Sequence, residues 1–376
     1  MAIDYVEIRD ENTTLLGIVD TAKSIIWRSV FFGVGDFEIY VQASPEIVAL
    51  LQVGNLVTRP NDNDVAIVES IKISDDSRDG CMITATGRMA KCILERRLVY
   101  NLSGSVNTPT ILQGNVENAA RQLVEENAID CKFDSRRNIP QLILGDLWND
   151  WHEIVDENGL PAQKQVSCEN LLTCTDALLQ EYGLGAKVIL DADAGKLCYV
   201  VYSGIDRSWS NAEGNDPVVF SKEYDNLTSS DYEYDTTKEK NVALIGGAGD
   251  DVDRFFSIIA GWQEGLHRRE MWIDAKSMNR KYKDADNVEH TYPASEYRAM
   301  LNAVGNQKLI ASPAKETFDG TIDIQNSRWQ YNVDFALGDV VTMQNDDIGK
   351  YINVRMLEVL EVQDENGYSI EANNQA

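Results

Sequence analysis

Across residues 5–86 apolar and polar positions alternate with period two, and turn residues separate the runs, which predicts the short strands of a β-sandwich or barrel. Within residues 65–73 the apolar side chains Val65, Ile67, Ile71 and Ile73 fall on one face of a predicted strand. Residues 75–80 then read as a turn and residues 82–86 as the returning strand. The end of the chain repeats this layout. Gly54-Asn55-Leu56-Val57-Thr58 parallels Gly338-Asp339-Val340-Val341-Thr342, and Glu69-Ser70-Ile71-Lys72-Ile73 parallels Glu358-Val359-Leu360-Glu361-Val362. Asp79-Gly80 with Ile83 parallels Asn366-Gly367 with Ile370. Each set opens with Gly and then Asn or Asp, runs through a long strand and reverses at a tight turn, so two related β-modules are expected about 284 residues apart.

Between them the period changes. Val116, Ala119, Ala120, Leu123 and Val124 make one helical stripe within residues 115–127. Ser167 is expected to cap a helix through Leu171, Leu172, Leu178 and Leu179 that stops at Gly183. Two strands follow, residues 186–190 and 196–203, turning over 191–195, so helix and hairpin predict a small α/β insert. A second mixed region over residues 217–312 holds an apolar strand, 241–245, and a helix over 295–304. That helix carries Tyr297, Leu301 and Val304 on one side and has Gly305 as its expected C-cap.

The composition, 43% hydrophobic and 25% charged over 376 residues, is that of a folded protein of about two to four domains. No run approaches the roughly 18 apolar residues of a membrane-spanning helix. The first ten residues lack a basic start and an apolar core, so they read as a strand, with no secretion signal. Six cysteines without a Cys-x-x-Cys pair argue for free thiols made in a reducing cytosol. The formal net charge of −27 argues against tight nucleic-acid binding, since phosphate contacts need Lys and Arg, and would suit a surface that DNA passes without adhering.

Motifs for chemistry are incomplete. His152-Glu153 opens like a zinc-protease helix, but Asp156 stands where the second His is required. Asp191-x-Asp193-x-Gly195 and Asp62-x-Asp64 resemble calcium loops, yet the closing twelfth positions are Tyr202 and Ile73, so both read as hairpin tips. Gly33-Val34-Gly35 lacks a third glycine, and no Lys-Ser or Lys-Thr follows Gly246-Gly247-Ala248-Gly249 to hold phosphates. No carboxylate pair stands out for glycoside cleavage. Trp148, Trp151, Trp209, Tyr224, Tyr232 and Tyr234 could line a sugar-binding surface, with core or interface packing as the plainer reading. No catalytic residue, metal site or cofactor is expected.

Several stretches resemble a known family. They are Gly35-Asp36-Phe37-Glu38-Ile39-Tyr40-Val41, Leu51-Gln52-Val53-Gly54-Asn55, and Thr86-Gly87-Arg88 leading to Leu94-Glu95-Arg96-Arg97. The pattern continues through Gly204-Ile205-Asp206-Arg207, Val218-Val219-Phe220-Ser221, Asn226-Leu227, Lys240-Asn241-Val242-Ala243-Leu244, Arg268-Arg269-Glu270, Asp274-Ala275 and Leu337-Gly338-Asp339-Val340-Val341. These resemble siphophage tail-hub proteins, also called tail-associated or baseplate-hub proteins, related in architecture to the trimeric hub of contractile phage baseplates. The glycine run 246–249 departs from the pattern, which expects an acidic residue within it.

The resemblance implies a β-rich α+β fold with two tube-type β-barrel or sandwich modules and α/β inserts between them. The expected division is 1–105 N-terminal tube module, 106–210 α/β insert, 211–312 second mixed domain able to lend strands to its neighbours, and 313–376 C-terminal tube module. It implies a non-enzymatic homotrimer at the distal tail tip of the virion, synthesised in the host cytoplasm, in which three chains present six modules and continue a six-fold tail tube. Implied partners are the distal tail protein ring, the tape-measure terminus and a tail fibre or spike, with DNA passing through the lumen unbound. The chain ends within six residues of Ile370, so no appended wall-degrading or receptor-binding domain is expected. Ring contacts are expected at Gly35, Phe37, Ile39, Val41, Leu56, Thr58, Arg59, Val340, Thr342 and Met343. The alternatives are a carbohydrate-binding or wall-degrading tail protein, and the hub of a contractile injection system.

Overall fold

Strong alternation in the first ninety residues produces seven strands: β1 (Val6–Arg9), β2 (Leu15–Val19), β3 (Ala22–Val30), β4 (Asp36–Gln42), β5 (Leu56–Thr58), β6 (Val65–Asp76) and β7 (Gly80–Met89). A computed structural model of the chain describes residues 3–60, 62–76, 80–103, 105–155, 161–261, 263–283, 288–310, 312–322 and 327–375. Asp79 of the predicted turn and Asp156 of the zinc-like motif lie outside them. Of the described residues 44% lie in strands and 19% in helices. It divides into two units, one of residues 1–154, 161–231 and 318–376, the other of residues 155–160 and 232–317.

The single apolar face predicted for residues 65–73 does not form, because β6 is broken by a bulge. Its ladder with β7 shifts register between Val68 and Ser70, which leaves Glu69 as the extra residue. One inserted residue exchanges the two faces of a strand. Val65 and Ile67 therefore enter one core, shared with the insert. Ala66, Val68 and Ile71 face the other, built on Trp27, Phe37, Ile39 and Val41, and Ile73 is left 54% exposed.

At the C-terminal side lie β11 (Val219–Ser221), β12 (Leu227–Asp235), β16 (Lys315–Ile322), β17 (Val340–Asn345), β18 (Lys350–Asp364) and β19 (Gly367–Gln375). Among the described residues these join the first seven in a thirteen-stranded sheet, ordered β12-β16-β19-β18-β3-β4-β7-β6-β5-β1-β2, with β17 beside β18 and β11 beside β17. The two halves run in the same order. The series β3-β4-β7-β6-β5-β1 is matched by β12-β16-β19-β18-β17-β11, and the chain visits the six strands in the same sequence each time. The halves differ at one end, where β1 pairs antiparallel with β5 but β11 pairs parallel with β17.

The match extends to single hydrogen bonds. Gly54 donates its N–H to Val68, whose N–H returns to Asn55; Gly338 donates to Met356, whose N–H returns to Asp339. Both glycines adopt positive φ, +96° and +92°, which an L side chain rarely tolerates. A bulge follows each of these pairs, between Val68 and Ser70 and between Met356 and Glu358. Ser70, not Glu69, therefore corresponds to Glu358, one residue away from the alignment that the sequence suggested.

The insert contains β8 (Leu142–Leu144), β9 (Gly185–Asp191) and β10 (Lys196–Tyr202), with α1 (Val116–Val124) and α2 (Leu171–Glu181). The predicted hairpin is β9-β10, and β8 adds to it in parallel. All five residues of the predicted α1 stripe are buried. The cap of α2 is Asn170, whose side chain accepts from the Thr173 N–H, and not Ser167, whose hydroxyl receives the Asn107 amide at 2.6 Å. Gly183 ends this helix region at φ +69°.

The second unit centres on β13 (Val242–Gly246), paired antiparallel with β14 (Phe256–Ala260) and parallel with β15 (Glu270–Asp274). On it packs α3 (Ala294–Ile310), with Tyr297 and Leu301 buried. Gly305 does not cap this helix, which runs through it. A Cβ there would stand 2.5 Å from Ile259 Cδ1 and 2.9 Å from Ile245 Cδ1, so the glycine lets helix and sheet approach. The Tyr297 hydroxyl accepts from the Ala248 N–H at 2.7 Å and donates to the Met278 carbonyl at 2.5 Å, which pins the 246–249 loop.

Candidate functional site

The two halves of the sheet meet where the second part of β18 pairs with β3, from Glu358 opposite Val30 to Gln363 opposite Ile25. A buried charge is built into this seam. Arg59, just beyond β5, donates to the Glu361 carboxylate at 2.6 Å and also pairs with Asp62. Its guanidinium lies 4.7 Å from the centre of the Trp27 ring, and the Tyr368 hydroxyl donates to Glu361. Burial works against the Arg59 charge, but Glu361 and Asp62 more than offset it, so the guanidinium is held above its usual range. Burial and the nearby Glu361 together push the Tyr368 hydroxyl up. A buried charge of this kind tolerates only the register in which its partners meet. Near the other end of the seam Phe31 packs so closely that a Cβ on Gly338 or Gly185 would stand 2.5 or 2.7 Å from its ring.

Of the residues expected at ring contacts, Phe37, Ile39 and Val41 point into the core beside Trp27, and Leu56 and Met343 are also buried. Their side chains fill this chain's own interior. Gly35 is required by its backbone, since a Cβ there would lie 2.0 Å from the Arg28 carbonyl oxygen. Thr58 lies beside Arg9 and Glu7, and Arg59 belongs to the seam. Val340 exchanges backbone hydrogen bonds with Ile205 and Arg207.

Thr342 joins a different feature. Its hydroxyl accepts from the Trp209 N–H at 2.9 Å and donates to Asn353 at 2.8 Å, within a groove of about 520 Å³ lined also by Tyr224, Gln344 and Tyr351. Trp209 is 74% exposed there. Of the other aromatics singled out, Trp148 donates to Ser203 at 3.0 Å and Trp151 stacks on His152 at 4.0 Å. Tyr232 donates to Glu316 at 2.8 Å. The calcium-like Asp191 accepts from the N–H groups of Asp193 and Ala194, as a hairpin tip does. A second cavity, of about 610 Å³, lies between the sheet and the insert. Its lining includes two ion pairs, Lys187 with Asp64 at 2.9 Å and Arg207 with Asp339 at 3.1 Å.

The profile of the family described as Siphovirus ReqiPepy6 Gp37-like protein matches residues 5–373. The chain belongs to this siphovirus tail-protein family. Solved structures of phage tail proteins share the family member's fold. The tail protein from Neisseria meningitidis MC58 matches with TM-score 0.57 and 14% identity over 99% of this chain and 96% of that one. The 43 kDa tail protein of prophage MuSo2 from Shewanella oneidensis matches with TM-score 0.59 and 12% identity over 98% of each. The prophage tail protein gp18 from Listeria monocytogenes EGD-e matches with TM-score 0.51 and 14% identity over 99% and 94%. At these identities the likeness is one of fold. A search of curated proteins finds no match.

Proposed function

We propose that this tail protein is the hub at the distal tip of the tail, a homotrimeric ring in which each chain supplies two tube modules. The observation that carries the reading is the recurrence of six strands in one order, with the same glycine turn and the same bulge, twice in one chain. Three such chains present six equivalent modules, which is what a ring must offer to continue a six-fold tube while keeping threefold symmetry itself. The first module is the 1–105 region and the second the 313–376 region together with β11 and β12. The insert 106–210 and the mixed domain hang from them. The distal tail protein, the tape-measure terminus and a fibre or spike are the partners of this ring. An acidic lumen, drawn from a chain of net charge −27, would let DNA pass without binding. Native mass measurement of the purified chain, alone and with its tail partners, is expected to give a trimer, and images of the virion a ring at the tail tip. A stable monomer under both conditions would remove the reading.

A second reading rests on the groove beside Thr342. Exposed Trp209, Tyr224 and Tyr351 around Gln344 and Asn353 combine ring faces with amide groups, which suits a carbohydrate. Binding of wall polysaccharide that is lost in Trp209→Ala, with the assembly state unchanged, would support it.

A further inference from the structure

The cavity of about 610 Å³ between the sheet and the insert has no part in the hub reading, and it lies wholly within the first unit. Ser29 and Val30 at the end of β3 form one wall, and Val188 and Val200 of the hairpin β9-β10 form another. It shares no lining residue with the groove beside Thr342.

Nearly all the charge on its walls cancels in pairs. Lys187 pairs with Asp64, Arg207 with Asp339, Lys91 with Asp176 at 2.9 Å, and Asp62 with Arg59. Of the lining charges only Asp146 has no ion pair among the described residues, and it is exposed to water. An ionic ligand would therefore give up its hydration without meeting a counter-charge inside.

Hydrogen-bonding capacity is nevertheless left over. The Ser29 hydroxyl, in a residue 4% exposed, has no partner within the chain. Lys91, 3% exposed, gives one of its three N–H groups to Asp176. A buried hydroxyl is costly to leave unbonded, so the partner of Ser29 must be a ligand or water that enters the cavity. Trp148 adds a ring face. It is 46% exposed and held from two sides: Nε1 donates to Ser203 at 3.0 Å, and the backbone N–H donates at 2.8 Å to Glu117, itself 1% exposed. A ring fixed in this way loses little freedom when a ligand stacks on it.

We infer that this cavity is a binding site for a neutral sugar, whose hydroxyls bond Ser29 and Lys91 while its apolar ring face lies on Trp148. The volume falls within the range of small-molecule sites, and apolar walls with a few placed polar groups are their usual make-up. Neither the ring nor the groove beside Thr342 is needed for this site.

The test is an NMR titration of the full chain with D-glucose and maltose, and with D-glucosamine and D-glucuronate as charged counterparts. Saturable binding of a neutral sugar in the millimolar range or tighter is expected, with the charged sugars bound about tenfold more weakly. Ser29→Ala should weaken binding about threefold to tenfold. Trp148→Ala should weaken it by about tenfold, with Trp148→Phe between that variant and wild type. Trp209→Ala should leave it unchanged. Binding lost in Trp209→Ala but kept in Trp148→Ala would belong to the groove and overturn the cavity site. No saturable binding of either neutral sugar, or binding indifferent to both Ser29→Ala and Trp148→Ala, also overturns it and leaves water as the partner of Ser29.

Discussion

The strands β6 and β18 stand at the same place in the two halves, each entered through a left-handed glycine and each bulged one residue later, yet they meet different surroundings. Along β18 the position of Glu361 is sealed against β3, with Arg59 closing over it. The corresponding residue of β6 is Ile73, which faces solvent. At the bulge itself β6 carries Glu69, paired with Arg88, and β18 carries Leu357, whose carbonyl accepts from Phe31. Backbone geometry is thus the constant part of the repeat. Side chains diverged because each strand answers to a different neighbour, and that divergence gives four ways to probe the pair.

The largest effect is expected from Glu361→Leu. Leaving Arg59 buried beside a lost partner should cost about 3–5 kcal/mol in urea unfolding, and adding Arg59→Met should recover most of it. A loss below about 1 kcal/mol would mean that the seam does not depend on this charge. Next is Gly87→Ala. Gly87 pairs with Val68 just before the first bulge, where a Cβ would stand 1.8 Å from the Ile67 carbonyl oxygen. A cost of about 1–3 kcal/mol is expected from the forced backbone shift, read as a lowered melting temperature.

The third is a dependence on acidity confined to the first half. The hydrogen bond from Arg88 holds the Glu69 carboxyl below its usual 4.5. A depressed folded value contributes stability that is present above the unfolded value and is lost as pH falls through the folded one. Glu69→Gln should therefore flatten the decline in stability below about pH 4.5, while removing at most about 1 kcal/mol at neutral pH. The smallest is Ile73→Ala. In the isolated chain it should stay within about 0.5 kcal/mol of wild type, as exposed sites do.

Much of this was legible along the chain. Alternation marks the strands, and the paired Gly54-Asn55 and Gly338-Asp339 steps mark the repeat. The bulge was not legible, because an extra residue such as Glu69 looks like any polar position in an alternating run. Its invisibility explains both the false single face at Val65 and Ile73 and the one-residue slip at Glu358. The seam was hidden for another reason, since Arg59 and Glu361 lie 302 residues apart and only pairing of β3 with β18 brings them together. Gly305 shows the limit of punctuation rules: a glycine that the sequence offers as a stop serves instead as the contact point of a helix against a sheet.

The place of the second unit in the chain carries a further consequence. In the first half, β3 and β4 are joined by the short turn over residues 31–35; in the second, their counterparts β12 and β16 are joined through the whole of β13, β14, β15 and α3. Because β12 and β16 are hydrogen-bonded neighbours, the two attachment points lie about 5 Å apart, the ordinary spacing of paired strands. That junction works as a socket for any folded cargo whose ends lie close together. Replacing residues 236–314 by a compact domain whose ends lie close together is therefore expected to leave the thirteen-stranded sheet intact.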